Sequence, residues 1–91
     1  MADVTITISG GTISVDKNKV TVSKKDTVKW TSHDGSFGLE FPSGSDITNK
    51  IASQNGGVWK AECGPFTNTG TFKYDVTANG FRLDPDIEII P

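Results

Sequence analysis

A two-residue period in the hydrophobic pattern of residues 70–90, GTFKYDVTANGFRLDPDIEII, constrains this chain more than any other feature. Phe72, Tyr74 and Val76 alternate with Lys73, Asp75 and Thr77. Successive side chains therefore leave the backbone on opposite faces, as in a half-buried strand. Asn79-Gly80 breaks the run, and Ile87 and Ile89 then resume it against Glu88. The stretch reads as two strands of one hairpin.

The same period recurs upstream. Val4, Ile6 and Ile8 alternate with threonines until Gly10-Gly11, and Ile13 and Val15 begin a second short strand. Residues 16–19 are a polar turn, Val20 and Val22 resume the alternation, and a turn at 24–26 leads into a strand over 27–31. After a loop at 32–36, Phe37, Leu39 and Phe41 alternate again, and Pro42 closes the strand. Residues 42–57 carry loop chemistry: Asp46 is placed to cap one turn of helix over 47–51, and Asn55-Gly56-Gly57 is a turn signal. Residues 58–62 read as a strand and 65–69 as a loop. Turn signals about 8 to 12 residues apart between short strands predict a sandwich or barrel. Trp30, Phe41, Trp59, Phe72 and Tyr74 are its expected aromatic core.

Length and charge exclude several classes of function. Ninety-one residues suffice for one domain, taken as 1–91, and not for two. Nine Lys and Arg against eleven Asp and Glu, at pI ≈ 5.1, leave no basic excess for a nucleic-acid face. No apolar run approaches the roughly 18 to 20 residues that cross a membrane. The opening MADVTITIS enters a strand at once, without a basic or apolar leader, so a cytoplasmic location is expected. One Cys cannot form an internal disulfide, which suits a reducing compartment.

Three stretches together resemble the cupredoxins, the blue-copper family that includes plastocyanin and azurin. Residues 20–30, VTVSKKDTVKW, resemble that family's strand-turn-strand ending in an aromatic, and residues 30–41 its next turn and strand. Residues 70–74, GTFKY, resemble the Gly-x-Tyr-x-Tyr approach to the copper loop. The resemblance implies an all-β, antiparallel, Greek-key β-sandwich of seven or eight strands. It also implies positions for two His, a Cys and a Met, and these fall on Phe37, Asn79-Gly80, Val76 and Leu83, so no copper ligand carries over. A type 1 site needs a thiolate and two imidazoles, and no metal or other cofactor is expected here. The tail, LDPDIEIIP, is also similar to small bacterial proteins grouped as a DP-EP family, which implies no activity.

Few residues outside that frame offer chemistry. His33, the only histidine, precedes Asp34 in His-Asp-Gly-Ser, an ordinary turn sequence; a metal role would need carboxylates or Cys63 beside it. Cys63-Gly64-Pro65-Phe66 imitates a thioredoxin motif but lacks the second cysteine that dithiol exchange requires. A Cys63, His33 and Asp34 nucleophile arrangement has no supporting context. Asp75, Asp84, Asp86 and Glu88 form an acidic run without a calcium-loop pattern, and read as solvated strand-end charges. Lys17, Lys19, Lys24, Lys25 and Lys29 oppose it in sign; they guard edge strands or favour head-to-tail self-association. Asn55-Gly56-Gly57 lacks the Lys and Ser/Thr of a phosphate loop.

No coherent acid, base and nucleophile set is present, so the expectation is a non-enzymatic, metal-free module. It would bind an unknown protein partner, or itself, through the loop end lined by Phe37, Phe81 and Leu83. Packing of Phe37 inward, into the space the metal would take, is the competing reading. The alternative function is an atypical metal-binding or electron-transfer site using His33 or Cys63.

Overall fold

Strands form where β-branched and aromatic residues alternate with polar ones. In the computed structural model, which describes residues 2–91, β1 (Ala2–Ser9) turns at Gly10-Gly11 into β2 (Thr12–Val15). β3 (Lys19–Ser23), β4 (Val28–Ser32) and β5 (Gly38–Glu40) follow. β6 (Lys50–Ile51) and β7 (Ser53–Asn55) lead to β8 (Val58–Cys63). The stretch that set the pattern supplies β9 (Gly70–Lys73), β10 (Asp75–Ala78), β11 (Phe81–Leu83) and β12 (Asp86–Ile90).

One layer is a five-stranded sheet in the order β2-β1-β4-β8-β7. The other is built from two ladders, β11-β10-β5-β6 and β3-β12-β9. Only Tyr74 separates β9 from β10, and only Asp84 and Pro85 separate β11 from β12, so the two ladders run on from one another. Pro85 has no N–H to give to a ladder. Its carbonyl instead accepts the Tyr74 N–H at 3.0 Å, and this bond spans the break. The expected hairpin over 70–90 is therefore present, split in two by a proline, and the strands are more numerous than the seven or eight expected.

The sandwich is all-β as the alternation predicts, with two departures in detail. β1 pairs with β4, and β3 with β12, in parallel rather than antiparallel register, with Val4 opposite Trp30 and Ile87 opposite Val20. The chain from 12 to 23 passes from one layer to the other at residues 16–18, which sets strands distant in sequence side by side. The segment 50–55 does the same at the opposite seam, with β6 in one layer and β7 in the other.

The second departure lies in residues 42–57. Asp46 does not cap a helix over 47–51. A single 3-10 turn forms at Ser43–Ser45 and Asp46 ends it, in the left-handed region at φ 60. The Ser45 hydroxyl donates to the Pro42 carbonyl at 2.7 Å, and Asn49 Oδ1 accepts the Phe41 N–H at 2.8 Å. That side-chain bond continues the β5 ladder and draws the segment into the extended form of β6.

Val4, Ile6, Val20, Val22, Val28, Leu39, Val76, Ile87 and Ile89 fill the interior. At its centre, Trp30 lies edge-on to Phe41 and Tyr74, at ring separations of 6.0 and 5.6 Å, while Phe41 stacks on Tyr74 at 5.4 Å. The Trp30 Nε1–H donates to the Tyr74 hydroxyl at 3.0 Å, which settles the one polar group each ring carries inward. Trp59 and Phe72 are only half-buried, contrary to expectation. β9 ends its ladder, and β8 has only the short, exposed β7 beyond it, so both rings lie near a sheet edge.

Candidate functional site at the loop end

Parallel β1 and β4 deliver the Gly10-Gly11 turn and the loop 32–36 to one end of the sandwich, and the β10–β11 turn, Asn79-Gly80, arrives beside them. Charge is scarce in these turns. His33 is exposed, and Asp34 is engaged locally, its carboxylate accepting the Ile8 N–H at 3.0 Å. His33 therefore occupies the surface turn that its neighbours predict.

The three residues assigned to a partner surface do not share one environment. Phe37 is 2% exposed and belongs to the core, so its inward-packing reading holds and its role as a contact is corrected. Its carbonyl accepts the Ala52 N–H at 2.9 Å, which extends the β5–β6 ladder by one position. Leu83 is half-buried, opposite Val76 in the ladder. Phe81 is 50% exposed. Its ring lies over Gly11, where an added Cβ would come within 3.3 Å of it and where φ is +80. The positive φ favours glycine there, and a Cβ would also make the Phe81 ring give by a few tenths of an ångström.

Ile51 was not singled out by sequence, yet it is 82% exposed. It stands opposite Gly38 on β5. No periodic signal could have found it, because the surrounding residues 50–55 are exposed on both faces, apart from half-buried Ala52.

Charged residues pair within the domain. Arg82 Nη1 donates to Glu40 Oε1 at 2.9 Å and to Asp75 Oδ2 at 2.6 Å. Lys73 meets Asp86 at 3.3 Å and Lys19 meets Glu88 at 3.6 Å. Of the five lysines set against the acidic run, Lys19 thus pairs with it, and Lys73 joins from within the hairpin. All of these pairs are exposed, and such pairs contribute little to stability.

The side chains do not fit a blue-copper centre. Phe37, Val76 and Leu83 have no donor atoms, and among the described residues no three of His, Cys, Asp and Glu group to hold a metal. Cys63 pairs with Val28 at the start of β4, whereas Trp59 pairs with Ser32, next to His33. Four strand residues place the thiol roughly 13 Å from the His33 end. The fold therefore sets His33 and Cys63 apart, so neither can partner the other in an atypical metal site, and no Cys63, His33 and Asp34 arrangement forms. Titration with Cu(II) is expected to give no intense thiolate-to-copper absorption. A band abolished by Cys63→Ser would overturn this.

Cys63 is 4% exposed, and burial pushes its thiol up to about 11, against a smaller lowering by Lys50. At neutral pH it is a protonated packing group rather than a nucleophile. Burial likewise raises the Tyr74 hydroxyl to about 12, although the bond from Trp30 opposes this. Both groups ionise later in the folded chain than in the unfolded one, so the unfolded chain loses protons first. Stability should hold below about pH 9 and fall by on the order of 2 to 4 kcal/mol up to about pH 12. Urea melts across this range check it, and Cys63→Ser should remove the earlier part of the fall.

Clefts lie near these residues, among them one of about 370 Å³ beside Ile51 that is lined by Leu39, Glu40, Asn49 and Lys50. Another, of about 200 Å³ beside Cys63, is lined by Asp46, Lys50, Glu62 and Phe66, below the roughly 300 Å³ from which ligand pockets usually start. A third, at the loop end, is lined by Ser36, Phe37, Gly38, Ile51, Thr77, Ala78, Asn79 and Gly80. None of these eight side chains can act as an acid or base near neutral pH. Among the described residues, no helix is long and apolar enough to cross a membrane.

No protein-family model and no curated protein matches the sequence. Among solved structures, the chain is similar to a purple cupredoxin from Nitrosopumilus maritimus, at 15% identity and a TM-score of 0.67, over 98% of this chain and 99% of that one. It is similar to an oxidised mutant of amicyanin at 18% identity and a TM-score of 0.65, over 96% and 81%. Auracyanin from Roseiflexus castenholzii matches at 15% identity and a TM-score of 0.56, over 100% and 98%. The fold is therefore cupredoxin-like, as residues 20–41 and 70–74 implied, and no group of His, Cys, Asp and Glu among the described residues could hold a metal.

Proposed function

We propose that this chain is a non-enzymatic, metal-free binding or assembly domain that meets a protein partner through its loop end. Phe81 is the anchor and Leu83 supports it from the half-buried side. The observation that carries the reading is Phe81 itself, a large aromatic half in solvent at an end whose turns hold little charge. Exposed aromatics in weakly charged surroundings are the groups that interfaces bury with most gain. A cytoplasmic location belongs to the same reading, and rests on a lone buried thiol with no disulfide.

Phe81→Ser is expected to lower the melting temperature only slightly, since about half the ring is already wet. It should weaken association roughly tenfold or more. Leu83→Ser, in contrast, should cost stability. Sedimentation over a concentration series measures self-association, and affinity capture from the native lysate, with Phe81→Ser as control, measures any other partner. A large fall in melting temperature with association intact would make Phe81 a core plug and move the partner surface elsewhere.

A further inference from the structure

The geometry points to Asn79 as a modification site, where spontaneous deamidation places a negative charge on the loop end. Asn79 and Gly80 are the two central residues of the β10–β11 turn, with φ of 51 and 82. Both are exposed, and space around Gly80 is open, with nothing within 4 Å of where a Cβ would lie. The Gly80 N–H has no hydrogen-bond partner among the described residues, which leaves its nitrogen accessible as a nucleophile.

In the reaction, the Gly80 backbone nitrogen, losing its proton, bonds to Asn79 Cγ. The Cγ–Nδ2 bond breaks and ammonia leaves. Water then opens the cyclic imide at either carbonyl, giving aspartate or isoaspartate. The sum is asparagine plus water yielding the acid plus ammonia, with no oxidant or enzyme required. A glycine on the C-terminal side permits it because no side chain blocks the attack.

The chain has a second Asn-Gly pair, Asn55-Gly56, but its backbone is held differently. Asn55 is the last residue of β7 and lies opposite Val58 in the ladder, so rotating it toward the imide geometry works against strand pairing. Asn79 sits in the turn between Ala78 and Phe81 and is itself in no ladder pair. Asn79 should therefore react first. Its product puts a carboxylate two residues from Phe81, at an end where Asp34 is otherwise the only acid in the turns. The isoaspartate form also lengthens the backbone of a two-residue turn, and shifts Phe81 off Gly11. The effect on association rests on the loop-end reading given above; the chemistry does not.

The test is incubation of the full chain at pH 8 and 37 °C, with peptide mass mapping over weeks. Conversion at Asn79 several-fold faster than at Asn55 is expected, and Asn79→Gly, which keeps the positive φ, should abolish it while leaving the fold intact. Equal rates at both asparagines, or conversion at Asn55 first, would overturn the assignment. Sedimentation of the separated products reads the consequence independently. If Asn79 converts and association is unchanged, the site stands and the partner surface lies elsewhere. If Asn79 does not convert, the site falls whatever Phe81 does.

Discussion

Replacing Trp30 by alanine is expected to leave the chain largely unfolded at room temperature. The residue is fully buried, and removing such a ring costs about 3 to 5 kcal/mol in lost transfer energy and cavity. Two ring contacts go with it, at roughly 0.5 to 1.5 kcal/mol each. The Tyr74 hydroxyl would also lose its donor inside the core, at a further cost of about 1 to 3 kcal/mol. A domain of this size has on the order of 5 to 10 kcal/mol in total, so little remains. Circular dichroism and urea titration of the variant check this. Tyr74→Phe separates the contributions, because it keeps both rings and removes only the hydroxyl that accepts the Trp30 N–H. A Trp30→Ala chain that melts within a few degrees of the parent would show that the aromatic cluster is not the anchor of this fold.

The second large effect is expected at Phe37. Serine there should cost about 3 to 5 kcal/mol, since it opens a cavity and leaves a hydroxyl with few partners in an apolar site. Association, measured at a temperature where the variant is still folded, should be unchanged. That pattern is the opposite of the one expected at Phe81, although the two residues occupy comparable places in the sequence. Each is an aromatic that directly follows a loop or turn, Phe37 after residues 32–36 and Phe81 after Asn79-Gly80. Were Phe37→Ser to leave the melting temperature unaltered and abolish association, the ring would be a contact after all, and the burial of β5 would need another explanation.

Much of the fold was legible because strand alternation depends only on the backbone. Val20 with Val22 and Ile87 with Ile89 were set inward by a period that holds whatever the neighbours are. Trp30, Phe41 and Tyr74 were identified as core on the same ground. Residues 42–57 were not legible, because β6 and β7 are exposed on both faces except at Ala52 and leave no hydrophobic period to read. Their form is decided by Asn49 reaching the Phe41 N–H, a contact over eight residues that no local propensity reports.

The absence of ligand atoms at Phe37, Val76 and Leu83 was likewise a matter of residue identity, and the sequence alone determined it. It also determined the all-β class, the hairpin at 70–90 and the turn around His33. What the tertiary structure decided was exposure. Phe37 and Phe81 differ in where their rings lie: Phe37 packs within the core cluster, while Phe81, on β11 at the edge of its ladder, lies against Gly11 and stays half in solvent. Likewise, Cys63 and His33 are separated by the length of β8, and Ile51 is left in solvent by a two-residue strand. Alternation assigns a side chain to a face, but only the packing of one layer on another determines whether that face is covered.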